Sequence, residues 1–238
     1  MRAIRVSFVQ LVAMLRKDMM LLVACVSPVL IGLIFRFGFP FLESLLCDWL
    51  EQSAVIAPYY SIFDMFLAII TPFFYCFVSA MIVLEERDEH MLKALVVSPL
   101  GQRGYYISRI GLPGILAFLV TAILLPICAL SSQSVWMLLC MMVIGTLQGI
   151  IFALLIISCS SNKLEGVAVT KLSSLIMMGV IIPCFVPQKL QYVFFFLPSF
   201  WMGKAVWTQW LSGMAVAVCW ALIWIYLLGR IAKRRINR

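Results

Sequence analysis

Six mostly apolar stretches, each about as long as a bilayer is thick, dominate this sequence. The hydrocarbon core of a membrane is about 30 Å thick, and a helix that crosses it needs about 20 apolar residues. Helices satisfy their own backbone hydrogen bonds in lipid, so this pattern predicts an all-α integral membrane protein with six transmembrane helices in one domain, 1–238. The predicted spans lie approximately at 19–39, 61–84, 107–131, 135–159, 169–185 and 207–228.

The composition supports this class. Hydrophobic residues make up 64% of the chain and charged residues 12%, whereas soluble domains are roughly 45–50% apolar and about 25% charged. A soluble globular domain, a nucleic-acid-binding module and a disordered chain are therefore excluded. Seven of the eight cysteines lie in or beside apolar runs and are typical of small buried hydrophobes, so no intrachain disulfide framework is predicted.

The basic residues predict the orientation of the helices. With the N-terminus inside, 15 of the 18 Lys and Arg residues fall on the cytoplasmic side, and Arg36, Lys189 and Lys204 are the other three. The positive-inside rule then places both termini in the cytoplasm, with the chain in the inner (plasma) membrane. The 15 basic residues predicted on the cytoplasmic side are Arg2, Arg5, Arg16, Lys17, Arg87, Lys93, Arg103, Arg109, Lys163, Lys171, Arg230, Lys233, Arg234, Arg235 and Arg238.

Residues 1–18 have the pattern of a basic amphipathic helix. Apolar residues, Phe8 among them, recur at steps of three and four, and Arg5, Arg16 and Lys17 lie elsewhere on the helix. This pattern predicts a helix in the membrane interface; the alternative is an irregular cytoplasmic start of the first span. The segment is too polar for the apolar region of a signal peptide, so we expect no cleavage.

Two segments on the outer side depart from a plain bundle of six helices. Segment 37–60 is apolar and aromatic with scattered acids, and is predicted to be an outer loop rather than a span. Segment 186–206 contains Pro187, Pro198 and a dense set of aromatic residues. These features favour an outer re-entrant hairpin, with an aromatic interface loop as the alternative.

The most polar stretch, residues 85–93, directly follows the second span. Its net charge is −2, from four acids against two basic residues. Acids near a helix start, an apolar edge and Pro99 at the end predict a short cytoplasmic helix over 85–100. A negative charge disfavours an anionic membrane surface and favours docking to a protein, although a solvated loop is the simpler alternative.

Four segments of the chain resemble the type-2 ABC transporter permease family and its drug- and fluoroquinolone-export-like branch. They are the Arg-Lys-Asp at 16–18, the Glu-Glu…Ser-Pro-Leu stretch at 85–100, the Asn-Lys-Leu-Glu-Gly segment within 161–172 and the Leu-Pro-Ser-Phe-Trp segment within 197–205. No single motif is highly specific. Their order among six predicted spans carries the resemblance.

The resemblance implies a permease subunit that works with a separate ABC ATPase subunit and a second permease chain, as a homo- or heterodimer. The sequence contains no Gly-x-x-x-x-Gly-Lys-[Ser/Thr] loop, so this chain is not expected to be an enzyme or to bind a cofactor; ATP and Mg²⁺ would bind to the partner. By the same resemblance, 85–100 is the coupling helix, with Glu85 and Glu86 fixing its start or meeting basic residues of the ATPase. The resemblance implies that the ATPase-coupling residues are Glu85, Glu86, Arg87, Asp88, Glu89, Met91, Leu92 and Leu95.

The predicted function is export of an amphiphilic molecule, such as a drug, a peptide antibiotic or a lipid-like compound. A non-transporting scaffold, sensor or immunity subunit is the alternative. An intramembrane enzyme would need clustered polar groups at membrane depth, and the spans offer mainly scattered hydroxyls and Asp64.

Three isolated features complete the prediction. Asp64 is a possible intramembrane polar site, or else a wetted interfacial acid, with Arg36 as one candidate partner. His90 is the single histidine and lacks ligands at metal spacing, so no metal site is predicted. Gly145 and Gly149 form a Gly-x-x-x-Gly pattern that permits close helix approach, although such matches also arise by chance.

Overall fold

The computed structural model describes residues 13–14, 18–91 and 101–236, and every regular element among them is helical. The predicted interfacial-helix residues Arg5, Phe8, Arg16 and Lys17 lie outside this range, as do Leu92 and Leu95. The helices are α1 Met19–Leu33, α2 Phe39–Leu50, α3 Tyr60–Asp88, α4 Gly101–Tyr106, α5 Leu112–Cys128, α6 Val135–Cys159, α7 Lys163–Met177, α8 Ile182–Phe185, α9 Gln188–Gln191, α10 Pro198–Trp207 and α11 Leu211–Ile236.

Five described helical stretches are long and apolar enough to cross a membrane. The predicted fifth span, 169–185, is instead divided among α7, a 3₁₀ turn at Met178–Val180 and the short helix α8. A count of six uninterrupted spans is therefore not confirmed. The five stretches are Met19–Leu50, Ala57–Asp88, Gly104–Cys128, Val135–Cys159 and Ser212–Arg234.

The divided segment nevertheless runs along the length of α3. At one end, the backbone N–H of Lys163 donates to the Oδ2 atom of Asp88 over 2.9 Å. At the other end, the ring of Phe185 stacks on that of Tyr59 with 5.7 Å between centroids. These contacts define two ends of the molecule, which we call the Asp88 end and the Tyr59 end.

The first helix continues well beyond its predicted end at residue 39. A π-helical turn at Ile34–Gly38 joins α1 to α2, so most of the predicted outer loop 37–60 is helical. Proline has no backbone N–H, so Pro40 cannot donate the usual bond to the carbonyl four residues earlier, and the wider turn accommodates it.

The same local pattern occurs again at the start of the third span. Ile-x-Arg-x-Gly-x-Pro is found at 34–40 and at 107–113, and a π-helical turn lies at Ile107–Gly111. Pro113 leaves the carbonyl of Arg109 without its helical donor, and the hydroxyl of Ser79 donates to that oxygen instead. The third helical stretch therefore begins before residue 107 and packs on α3.

Helices α3 and α6 form the centre of the molecule, and glycines bring them together. A Cβ atom on Gly145 would lie 2.0 Å from the carbonyl oxygen of Ala68, and one on Gly149 would lie 2.8 Å from that of Pro72. Pro72 removes the helical donor to Ala68, so the bare Gly145 backbone faces an oxygen that α3 leaves unpaired. The Gly-x-x-x-Gly pattern thus lies in the central helix crossing.

Segment 186–206 folds back on itself between α8 and α11. The indole N–H groups of Trp220 and Trp224 donate to the carbonyl of Phe196 over 2.8 Å and 3.1 Å. These tryptophans lie about 14 to 20 Å along α11 from its start. The chain then returns through α10, and Gln209 donates to Gln133 near the Tyr59 end. We call 186–206 the outer hairpin; its re-entry into a bilayer stays a prediction.

Candidate functional site

The candidate site lies at the Asp88 end of α3, where the predicted coupling residues begin. Helix α3 continues through Asp88, and His90 adopts a left-handed conformation with φ of 57° that ends it. Glu85, Glu86 and Asp88 therefore occupy the last turn of a long helix, and the prediction that the acids start a new helix is wrong. Carboxylates there oppose the helix dipole, so cations must compensate for them.

The first compensating cation is Arg109, from the π-helical turn of the third helical stretch. Its guanidinium forms a bidentate pair with the carboxylate of Glu86, and both side chains are 1% exposed. The hydroxyl of Tyr105 donates to the same carboxylate over 2.8 Å. Glu86 is thus enclosed by its own chain. Its assignment to ATPase coupling stays a prediction.

The second compensating cation is Lys163, at the start of α7. Its ammonium group lies 2.7 Å from Oδ2 of Asp18 and 3.0 Å from Oε2 of Glu85. Asp18 also accepts hydrogen bonds from the N–H groups of Met20 and Leu21, which caps α1. Lys163 therefore joins the starts of α1 and α7 to the end of α3.

These contacts shift the acidities of both partners. The hydrogen bond from Lys163 lowers the pKa of Asp18, although burial acts in the opposite direction. Burial lowers the pKa of Lys163, but the hydrogen bonds to Asp18 and Glu85 outweigh it and the net pKa is raised. Both groups are charged at neutral pH as a result.

Arg87 and Asp88 complete the connection between α3 and the loop before α7. Arg87 donates to the carbonyl of Ser160 over 2.9 Å, and Asp88 accepts from the N–H of Lys163. The end of α3 is therefore bonded to α1, to the third helical stretch and to α7. Of these contacts, the Glu86–Arg109 pair is buried, the Arg87–Ser160 bond is partly buried and the Asp88–Lys163 bond is exposed.

At the edge of this network, the chain presents exposed residues. Asp88, Glu89, His90 and Met91 are exposed. A cavity of about 460 Å³ lies beside them, between the start of α1 and the end of α3. Its walls combine carboxylates with flexible thioethers, from Met14, Asp18, Met19, Glu85, Glu89 and Met91. Of the predicted coupling residues, Asp88, Glu89 and Met91 are accessible to a partner.

Sequence reasoning missed the residues that organise this end. In the sequence, Asp18, Arg109 and Lys163 are recognisable only as charges or as parts of motifs, and nothing in the linear pattern pairs them with α3. A signal for Arg109 was available, since an arginine in the first turn of a predicted span, 107–131, requires a partner. In the described parts of the chain, no group of three or more His, Cys, Asp or Glu side chains is arranged to bind a metal ion.

Asp64, the predicted intramembrane polar site, has a local role at the Tyr59 end. It is 1% exposed and accepts hydrogen bonds from the N–H groups of Leu130 and Ser131 over 2.8 Å and 2.9 Å. The loop after α5 is thereby fixed to α3. Arg36 donates to the carbonyl of Ala129 in the same loop and forms no ion pair with any described acid.

The comparisons with known proteins identify the family. The family model described as fluoroquinolones export permease protein Rv2686c-like matches residues 12–231. The chain belongs to the Rv2686c-like family. Neither the curated proteins nor the solved structures contain a significant match.

Membership in the Rv2686c-like family agrees with the resemblance to drug-export permeases. The matched range covers four of the stretches that could cross a membrane and the fifth as far as residue 231. The Rv2686c-like chain is accordingly a multi-pass membrane permease of the export type. The segment that leads from the Asp88 end into residues 92–100 lies within the matched range.

Proposed function

We propose that this chain is the membrane subunit of an ATP-driven ABC exporter for amphiphilic drugs of the fluoroquinolone type. Two permease chains would form the pathway, and a separate ABC ATPase would bind ATP and Mg²⁺. The Asp88 end would face the cytoplasm and the outer hairpin the exterior. The family assignment supports the export of such drugs.

The observation that carries the coupling role is the bonded end of α3. Exposed residues 89–91 directly follow a turn that is tied to the third helical stretch by Glu86–Arg109 and to α7 by Glu85–Lys163. Lys163 in turn pairs with Asp18 at the start of α1. A partner that pushes on residues 88–91 would therefore move several helices together. Such rigid-body motion is a known means of coupling domains.

The test is the recovery and activity of an ATPase chain with the tagged permease. We expect an ABC ATPase to co-purify with the wild-type chain and its hydrolysis to rise when ciprofloxacin is added. The double variant Glu89→Lys, Met91→Asp changes two exposed side chains at the docking point, so ATPase recovery should fall about tenfold or more, as for contacts at the centre of an interface.

Asp48→Lys is the matched control, because Asp48 is also exposed and acidic but lies in α2, on the Tyr59 side. It should leave ATPase recovery unchanged. If no ATPase associates with the wild-type chain, the exporter proposal fails and a scaffold, sensor or immunity role takes its place. If both variants lose the ATPase equally, the Asp88 end is not the docking point.

A further inference from the structure

The outer hairpin contains a lysine surrounded by aromatic rings. The ammonium nitrogen of Lys204 lies 5.2 Å from the ring centroid of Tyr192, 5.8 Å from that of Phe200 and 5.9 Å from that of Trp201. Tyr192 belongs to the descending arm of the hairpin, whereas the other residues belong to α10. The two arms together form this cluster, which we call the Lys204 cluster.

In the part of the chain that the structure describes, the ammonium group of Lys204 lies beside ring faces and has no anion next to it. Among the described residues, no carboxylate lies within ion-pair distance of its ammonium group and no oxygen accepts a hydrogen bond from it. An ammonium group has three donors, and the faces of aromatic rings compensate for its charge only in part. A half-buried cation of this kind attracts an anion more strongly than one in water.

The surrounding structure keeps the cluster in place and leaves one side open. The indole of Trp201 donates to the carbonyl of Phe195 over 2.7 Å, and α11 bonds to the neighbouring carbonyl of Phe196. Phe200 is buried, whereas Tyr192 is 63% exposed. A planar ligand therefore has access from the side of Tyr192 and meets aromatic surfaces in a fixed arrangement.

We propose that the Lys204 cluster is an outer-side binding site for the carboxylate of a planar aromatic anion. The ammonium group of Lys204 forms an ion pair with the carboxylate, and the rings of Tyr192 and Trp201 pack against the aromatic system. The identification of the ligand as an exported drug rests on the proposed function, since fluoroquinolones carry a carboxylate on a flat ring system.

The test measures binding to the full purified chain in phosphatidylcholine nanodiscs, with two pairs of probes. Ciprofloxacin is compared with its ethyl ester, and 2-naphthoate with its methyl ester. The wild type should bind each acid about tenfold or more tightly than its ester, as expected for a charge-assisted hydrogen bond. Lys204→Met should remove this preference, and Lys204→Arg should keep most of it.

Lys189→Met is the matched control, because it removes an exposed positive charge from the same hairpin, where no ring contact of that lysine is described. It should leave the preference for the acid unchanged. Loss of the preference in both Lys→Met variants would overturn the proposal, since a diffuse positive potential would then explain the binding. Equal binding of acids and esters by the wild type would also overturn it.

Two further measurements separate the remaining outcomes. In the first measurement, phosphatidylglycerol is added to the nanodiscs. If it displaces ciprofloxacin from the wild type, and this displacement requires Lys204, the site is a lipid-headgroup site and the proposal is wrong. Drug efflux is measured separately in cells. Binding of 2-naphthoate that depends on Lys204, without efflux of any fluoroquinolone, would overturn the proposed function and leave the anion site standing.

Discussion

Glu86 lies in an environment that the sequence did not predict. Its carboxylate is buried against Arg109 and Tyr105 of its own chain. Removing one partner of a buried ion pair leaves an uncompensated charge in a region of low polarity, which costs roughly 3–5 kcal/mol. We expect Glu86→Gln to lower the thermal unfolding temperature strongly in detergent, measured by a fluorescence melting assay.

Glu89→Gln is the control, since Glu89 is exposed and lies three residues further along the chain. It should change the melting temperature little. Replacing both partners, Glu86→Met with Arg109→Met, should recover part of the lost stability, because no buried charge then remains unpaired. Equal melting temperatures for Glu86→Gln and Glu89→Gln would contradict the buried pair.

The pair of Asp18 and Lys163 predicts a defined dependence of stability on pH. The folded state lowers the pKa of Asp18 from its ordinary 3.8, so its contribution is full above that pH and is lost as the pH falls through the lower folded value. The folded state raises the pKa of Lys163 from 10.5, so its contribution is full below that pH and is lost as the pH rises through the higher folded value.

The measurement is the difference in unfolding free energy between the wild type and Asp18→Asn as a function of pH. This difference should be constant from about pH 5 to 9 and should shrink in acid, where Asp18 becomes protonated in both states. Glu51→Gln, at an exposed position in the loop after α2, should show no comparable trend. A difference that grows in acid would refute the assignment.

At the scale of elements, the crossing of α3 and α6 depends on the absence of side chains at two positions. A Cβ at Gly145 would overlap the backbone of Ala68, which cannot move aside as a flexible side chain can. We expect Gly145→Ala to destabilise the protein by about 1–3 kcal/mol, as overpacking of a close helix contact does. Gly149→Ala should have a smaller effect of the same sign.

Gly229→Ala provides the matched control within a helix. Nothing in the structure lies within 4 Å of a Cβ atom at Gly229. This substitution should be neutral or slightly stabilising, because alanine favours a helix more than glycine does. Melting temperatures of the three variants in one detergent check the prediction. An unchanged melting temperature for Gly145→Ala would show that the two helices separate easily.

The presence of the long helices was predictable from the length of their apolar runs. The residues at which these helices begin and end were less predictable. The fourth predicted span, 135–159, coincides with α6, where Ser134 caps a uniformly apolar run before Ser160. The first predicted span ends too early because segment 37–60, with its scattered acids, has the pattern of an outer loop. In the structure, a π-helical turn accommodates Gly38 and Pro40, and the helix continues to Leu50.

For the whole molecule, the contacts at the two ends of α3 predict a testable topology. Cys128 and the loop after α5, which bonds to Asp64, lie at the Tyr59 end. Near the opposite end, the hydroxyl of Ser158 donates to the carbonyl of Leu228. The C-terminal part of α11 therefore lies on the side of residues 88–91. Single cysteines at His90 and Lys233, in a variant without the eight native cysteines, should label from the same side.

A cysteine at Asp48 should label from the opposite side. The positive-inside rule assigns His90 and Lys233 to the cytoplasm, because most basic residues lie with them. Impermeant maleimide applied to intact cells should thus modify Asp48→Cys alone. If Lys233→Cys also reacts from outside, the divided segment from α7 to α8 does not cross the membrane and the even number of crossings is wrong.

The sequence by itself determined the class of this protein and its orientation signal, because burial in lipid depends on the length and polarity of each segment alone. It also located residues 85–93 as a charged segment, since charges stand out in an apolar chain. Only the tertiary structure decided which charges are accessible. Glu86 and Arg109 are 23 positions apart, and Asp18 and Lys163 are 145 apart. Such pairings arise from helix packing, which no local sequence pattern predicts.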